Sequence, residues 1–308
     1  MRIVSLLPSA TEIVYALGLQ DELVGVTHEC DYPSDALKKP RVVESVFPND
    51  CKDMTPGEVN ASIGEAIRSG APVYRFKPGA LETAKPDVIL AQGLCDVCAV
   101  PYRLVIEEIR KFRGNPQIMS LDPRDLTGIL TDIRRVGELC GRIDEAGAVV
   151  DKLEERVGEV AGATREIPAA KRPRVVIVEW TDPIYAAGHW GPEMVELAGG
   201  TDVLGIAGEP SRAVEWNAVV EAKPDVIIVG PCGYDLPRAK AELPRLQARP
   251  GWNDLPAVKN KRVYFMDANA TLSRPGPRMV DGLEDFAQMI QPDLFPCLVE
   301  ARRWSEST

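Results

Sequence analysis

Two short segments constrain this chain more than anything else in it. Ala84-Lys85-Pro86-Asp87-Val88-Ile89-Leu90 recurs as Ala222-Lys223-Pro224-Asp225-Val226-Ile227-Ile228, identical at six of seven positions. Each copy follows a helical stretch, turns at a proline that cannot continue a helix, and enters an apolar run. A short run that is apolar at every position predicts a strand buried on both faces, as in a parallel sheet covered by helices. Each strand then leads into a loop with glycine and cysteine, Gly93 and Cys95 in one copy and Gly230 and Cys232 in the other. The two halves also open alike, residues 3–18 and 175–200 each reading as strand, loop and a helix that ends in glycine. Two similar α/β lobes follow from this pattern.

Residues 126–164 contain no proline, and their apolar side chains recur at spacings of three and four. That period predicts a long amphipathic helix, although Gly128, Gly137, Gly141 and Gly147 weaken one unbroken rod. The expected organisation is a first lobe over 1–125, a bridging helix over 126–165 and a second lobe over 166–308 with a closing helix at about 278–290. The predicted fold class is α/β, two lobes with central parallel sheets bridged by a long α-helix. At the N-terminus, Ser9 or Thr11 is the expected cap of the first helix.

Composition removes several functions. The 308 residues carry 36 Lys and Arg against 46 Asp and Glu, a formal net charge of −10. Sequence-independent nucleic-acid binding and a polybasic membrane surface both need clustered cations and are disfavoured. Only His28 and His189 are present, so a three-histidine metal site is excluded. No G-x-x-x-x-G-K-[ST], G-x-G-x-x-G or G-x-S-x-G segment occurs, so neither nucleotide binding nor a serine-nucleophile elbow has motif support. The seven cysteines are an odd number, which favours a reducing compartment. The apolar run at 3–7 is broken by Pro8 and Glu12 and reads as a strand, not a secretory signal. The expected location is therefore cytoplasmic as the sequence stands, or periplasmic or extracellular if a leader has been removed.

Ligands of open parallel sheets sit beyond the carboxyl ends of the strands. Five loops fall there, at 28–33, 92–101, 179–190, 230–236 and 267–277. At these loops the sequence resembles the substrate-binding proteins of cobalamin and ferric-siderophore ABC importers, in particular the cobalamin-binding branch. The resemblance is carried by RIVSLLPSATEIVYALG at 2–18, DYP at 31–33, KPDVIL at 85–90, KPDVII at 223–228, LPAVKNKRVYFMD at 255–267 and SRPGPR at 273–278. It implies two α/β lobes bridged by a long helix, a ligand gripped between them, no catalysis, and an ABC transporter permease as partner.

Within that frame the second lobe offers Glu179, Trp180, His189 and Trp190. Aromatic walls suit a flat corrin face, and an imidazole nitrogen can ligate cobalt or meet a corrin amide. Trp190 is equally readable as core at the entry of the next helix. Gly233 and Tyr234 follow a strand and can present backbone N–H groups. Asn269, Ser273 and Arg274 lie on the loop before the closing helix, with Arg274 suited to an acidic ligand group. His28, Glu29 and Tyr32 are the first lobe's candidates; Tyr32 excludes an H-E-x-x-H zinc motif.

A second chemistry competes. Cys95 and Cys98 form C-x-x-C at a strand end, while Cys30 and Cys232 lie on other strand-end loops. Four thiolates brought together would hold Zn²⁺ or a [4Fe–4S] cluster, which would make this a cytoplasmic metal protein, sensor or enzyme. Cys51, Cys140 and Cys297 read as small buried hydrophobes.

Overall fold

The computed structural model describes residues 1–93, 100, 102–110 and 115–296. In chain order the first part contains β1 (Ile3–Ser5), α1 (Pro8–Ala16), β2 (Leu23–Gly25), β3 (Val43–Ser45), α2 (Pro56–Ser69), β4 (Tyr74–Phe76), α3 (Ala80–Ala84), β5 (Val88–Ala91), α4 (Tyr102–Ile109) and β6 (Gln117–Ser120). Two long helices follow, α5 (Leu126–Cys140) and α6 (Ile143–Thr164). The remainder is β7 (Arg174–Thr181), β8 (Ile184–Ala186), α7 (Gly191–Leu197), β9 (Thr201–Asp202), β10 (Arg212–Ala213), α8 (Trp216–Ala222), β11 (Val226–Val229), α9 (Leu236–Lys240), α10 (Leu243–Gln247), α11 (Pro256–Lys259), β12 (Val263–Phe265), α12 (Ala268–Thr271) and α13 (Met279–Ile290).

The chain divides into two compact units, residues 1–123 with 127–151, and residues 124–126 with 152–308. The first holds a parallel sheet in the order β2-β1-β5-β6 and a separate antiparallel pair, β3 and β4. The second holds a sheet in the order β10-β8-β7-β11-β12, with β9 also paired to β7. Its β7, β11 and β12 run parallel, while β8 folds back antiparallel on β7. The two repeated segments supply the central strands β5 and β11, buried at every position as their composition requires.

The repeat extends to the side chains that fix each corner. Lys85 and Lys223 end their helices in the left-handed region, at φ 46° and 45°. Asp87 accepts from the Arg2 backbone N–H at 2.8 Å, and Asp225 accepts from that of Arg174 at 2.9 Å. The Arg2 and Arg174 side chains donate to Ala84 O and Ala222 O at 2.7 and 2.9 Å. Each helix end thus has its last carbonyl satisfied by the arginine that opens the neighbouring strand.

Three local expectations need correction. The expected rod over 126–165 is two helices, because Gly141 takes φ +68° and ends α5. Helix α1 has Leu7 at its N-cap and no side-chain cap; Pro8 supplies the preset φ of the first turn instead. Thr11 turns inward, its hydroxyl 2.8 Å from Ser5 Oγ. The loop expected at 179–190 contains strand β8, because β7 runs on past its parallel neighbours to Thr181 and turns back. Among the described residues, no helix is long and apolar enough to cross a membrane.

Candidate functional site

In the second unit the register sets Val178, Val229 and Phe265 side by side, so the loops after β11 and β12 rise together beside the β7–β8 hairpin. The segment after β11 folds back on β7. Gly230 N–H donates to Val178 O and Cys232 N–H to Glu179 O, both at 3.0 Å. Gly233 makes the turn at φ +75°, a conformation that costs a Cβ-bearing residue. Tyr234, expected as a ligand contact with a free backbone N–H, is instead 2% exposed and donates that N–H to Pro231 O at 2.9 Å; half-buried Trp180 meets its ring edge-on at 5.4 Å. The Arg238 guanidinium lies 3.7 Å over the Tyr234 ring, a cation–π contact. Burial pushes the Tyr234 phenol pKa up. The Trp180 indole N–H donates to Asp182 O at 3.1 Å, which fixes the ring's edge.

The segment after β12 is tied to this turn. Asp267 caps α12 through Ala270 N–H, Asn269 N–H donates to Tyr234 O at 3.0 Å, and Gly233 N–H donates to Ser273 Oγ at 3.4 Å. Arg274 is only 6% exposed and donates to Asn269 Oδ1 at 2.8 Å. The expectation that Arg274 meets an acidic ligand group is therefore corrected: its cation is buried and braces the loop from inside. Asn269 and Ser273 are half-buried at the same place.

His189 stands on the turn between β8 and α7. It is one of the few non-glycine residues with positive φ, at 50°. Its N–H donates to Glu209 O at 2.6 Å and its carbonyl accepts from Gly208 N–H at 2.8 Å. Gly188 donates to Ser211 Oγ at 3.1 Å, and a Cβ at Gly188 would lie 2.2 Å from Glu209 O, so only glycine permits this approach. The imidazole is half-buried beside the Trp190 ring, 5.4 Å between centroids. Burial, then the charge of Arg124, hold its pKa below the ordinary imidazole range. Trp190 is 7% exposed and donates its indole N–H to Leu272 O at 2.8 Å. Of the two readings of Trp190, the structure favours the packed one.

In the first unit, the loop after β2 is held by Arg41, which donates to Thr27 O at 2.7 Å and Cys30 O at 2.8 Å. His28 is half-buried with its ring 5.7 Å from that of Tyr74, Glu29 is exposed, and Tyr32 is 47% exposed. Cys30 is fully buried, with Thr11 Oγ1 at 3.1 Å and Thr27 Oγ1 at 3.3 Å from its sulfur. Cys232, exposed, belongs to the other unit. Cys51 and Cys140 are buried, as their reading as small hydrophobes requires. Cys95, Cys98 and Cys297 lie outside the described residues. Among the described residues, no three His, Cys, Asp or Glu side chains form a group able to hold a metal ion.

Sequence reasoning missed Arg41, Arg124 and Arg238. Each acts across the chain or over a ring, and no local motif marks such a contact.

The two α/β units each carry a sheet with parallel central strands and with aromatic and polar loops at the strand ends. The family model described as periplasmic binding protein matches residues 3–270, and the chain belongs to that family. It is a substrate-binding protein of the ABC-importer type. It is 29% identical over 297 residues, covering 96% of this chain and 81% of its relative, to the ABC transporter substrate-binding lipoprotein YvrC of Bacillus subtilis. It is 26% identical over 288 residues, 92% of this chain and 86% of the other, to the vitamin B12-binding protein of Vibrio cholerae. Among solved structures, the periplasmic heme-binding protein RhuT of Roseiflexus sp. RS-1 shares the fold with a TM-score of 0.69 at 20% identity, covering 95% of this chain and 98% of that one.

Proposed function

We propose that this protein binds a corrinoid, cobalamin foremost, or a related metal chelate at its strand-end loops and presents it to an ABC transporter permease. The observation that carries this reading is the half-buried Trp180 ring, fixed at the sheet edge by Asp182 O and seated edge-on against the buried Tyr234. A flat macrocycle is the ligand such an aromatic face suits, since a ring buries large area with little loss of rotamer freedom. Around it, Glu179, Asn269 and Ser273 supply polar groups that can meet peripheral amides or carboxylates. In the first unit, His28, Glu29 and Tyr32 on the loop after β2 are proposed as ligand-binding residues in their own right. The vitamin B12-binding and heme-binding relatives support a tetrapyrrole-type chelate without choosing between them. Names that include lipoprotein and periplasmic support a place of action outside the cytoplasm.

The cluster alternative has no observation in its favour, since Cys30 sits in a closed hydroxyl-lined site. The test is calorimetric titration of the purified protein with cyanocobalamin, iron(III) protoporphyrin IX and a ferric hydroxamate. Binding of one of the first two at micromolar or tighter affinity supports the reading. Binding of the hydroxamate alone removes the corrinoid and flat-macrocycle reading and leaves a non-planar metal chelate, whereas binding of none removes the chelate reading altogether.

A further inference from the structure

We infer that Arg245 and Arg249 are positioning residues for the Trp180 ring: they clamp the tip of the β7–β8 hairpin, and ligand affinity depends on them through that ring, with neither guanidinium touching the ligand. This rests on the chelate-binding reading above and adds to it what holds its aromatic face in place.

The hairpin tip needs a clamp. Strand β11, the parallel partner of β7, ends at Val229 opposite Val178. Among the described residues, Trp180 and Thr181 pair with β8 alone, opposite Tyr185 and Ile184. The register also shifts between Val178 and Trp180. A two-stranded ribbon this short has little stability of its own in water. The Trp180 indole N–H donates to Asp182 O at 3.1 Å, so the turn at the end of the ribbon orients the ring. Whatever fixes Asp182 therefore fixes the ring.

The polar side of α10 and its flanks supplies the clamp. Leu246 is enclosed in the core with Val178 and Tyr234, while Glu242, Arg245 and Arg249, spaced three and four, meet the hairpin. Thr181 Oγ1 donates to Glu242 Oε2 at 2.7 Å, and Arg245 Nε donates to the same oxygen at 3.0 Å. The other arm of the fork, Arg245 Nη1, donates to Asp182 Oδ2 at 3.4 Å. Arg249 Nη2 donates to Thr181 O at 3.1 Å and lies 3.7 Å from Asp182 Oδ1. Thr181 and Glu242 are buried, and the two arginines close the clamp on its solvent side against half-exposed Asp182. A guanidinium suits this task because its rigid fork spans Glu242 and Asp182 at once, whereas an ammonium is a single point of charge. Both cations are thus engaged with the hairpin itself.

Two variants open the clamp and leave the backbone carbonyl that takes the indole N–H. Asp182→Asn removes the charge that both arginines meet. Arg245→Lys keeps the positive charge and loses the fork. Unfolding curves check that each folds. The first readout is exchange of the Trp180 indole N–H with water, followed by nuclear magnetic resonance and identified by its loss in Trp180→Phe. The second is affinity for whichever of cyanocobalamin and iron(III) protoporphyrin IX the wild type binds, measured in each variant alone and combined with Trp180→Ala.

In both variants the indole exchange is expected to quicken by at least about threefold. Affinity is expected to fall by roughly three- to tenfold. Combined with Trp180→Ala, the same substitutions should change affinity by less than about twofold, because the ring through which they act is gone. Unchanged indole exchange, unchanged affinity, or an affinity loss that persists in the Trp180→Ala background overturns the inference and leaves the chelate-binding reading in place. If the wild type binds neither chelate, that reading falls and the inference falls with it, whatever the indole exchange shows.

Discussion

Gly188→Ala probes the clasp that presents His189. The added Cβ would lie 2.2 Å from Glu209 O, 2.5 Å from Ser211 N and 2.6 Å from the Pro210 carbonyl carbon, where ordinary contact begins at 3.4 Å. All three are backbone atoms, so no side-chain rotation relieves the overlap. The two strands of the clasp must separate, and three hydrogen bonds are at risk: His189 N–H to Glu209 O, Gly208 N–H to His189 O, and Gly188 N–H to Ser211 Oγ. At a net worth near 1 kcal/mol each, their loss amounts to about 2–3 kcal/mol. The loop's exposed residues Glu209 and Pro210 can move outward, which keeps the cost at that level and below that of a core clash. Gly208→Ala is the control. Its Cβ meets open space, so only the strain of φ +75° remains, about 1 kcal/mol. Urea unfolding followed by circular dichroism measures both. With a slope of roughly 1–3 kcal/mol per molar urea, the Gly188→Ala midpoint should fall by about 1 M, and by more than that of Gly208→Ala. Chelate affinity should fall in Gly188→Ala although no contact residue has changed. A Gly188→Ala protein within about 0.5 kcal/mol of wild type, with unaltered affinity, would refute the clasp.

Asp87→Ala and Asp225→Ala should each cost about 1 kcal/mol, since each frees one exposed backbone N–H of the same corner; unequal costs in unfolding experiments would argue against equivalent corners. Trp190→Phe leaves Leu272 O without its donor in a buried setting and should cost about 1–3 kcal/mol, with a smaller effect on ligand affinity than Trp180→Ala; the reverse order would return Trp190 to the binding surface. The His189 pKa is depressed in the folded state, first by burial and then by Arg124. The unfolded chain therefore holds the extra proton in the window below about pH 6.5, and His189's contribution to stability is present above that value and lost as pH falls through the folded pKa. Unfolding free energies measured from pH 7 downward should show this loss in wild type and a shallower one in His189→Asn; parallel profiles would contradict it.

The two-lobed reading was legible because the repeat preserves more than strand hydrophobicity. It keeps the lysine that turns left-handed, the proline that stops the helix and the aspartate that holds the next strand, so one corner is written twice. The strand-end loops were legible for the same reason, since the position of a parallel strand fixes where its loop must emerge. What could not be read depends on partners far along the chain. Nothing near Trp190 announces that Leu272 O takes its N–H, and nothing near Arg274 announces that it is enclosed with Asn269. The β7–β8 hairpin was hidden because Asp182 and Pro183 look like any loop, and strand β8 is only Ile184–Ala186. The helix break at Gly141 was among four plausible glycines, and only the backbone conformation singles it out.

The most direct test of the account is a pair of titrations, wild type and Trp180→Ala, with cyanocobalamin and with iron(III) protoporphyrin IX. The account predicts that wild type binds one of them at micromolar or tighter affinity. It further predicts that Trp180→Ala, folded by its unfolding curve, loses at least about tenfold, or roughly 1.4 kcal/mol. Unchanged affinity in Trp180→Ala, or no binding of either chelate to wild type, would contradict it.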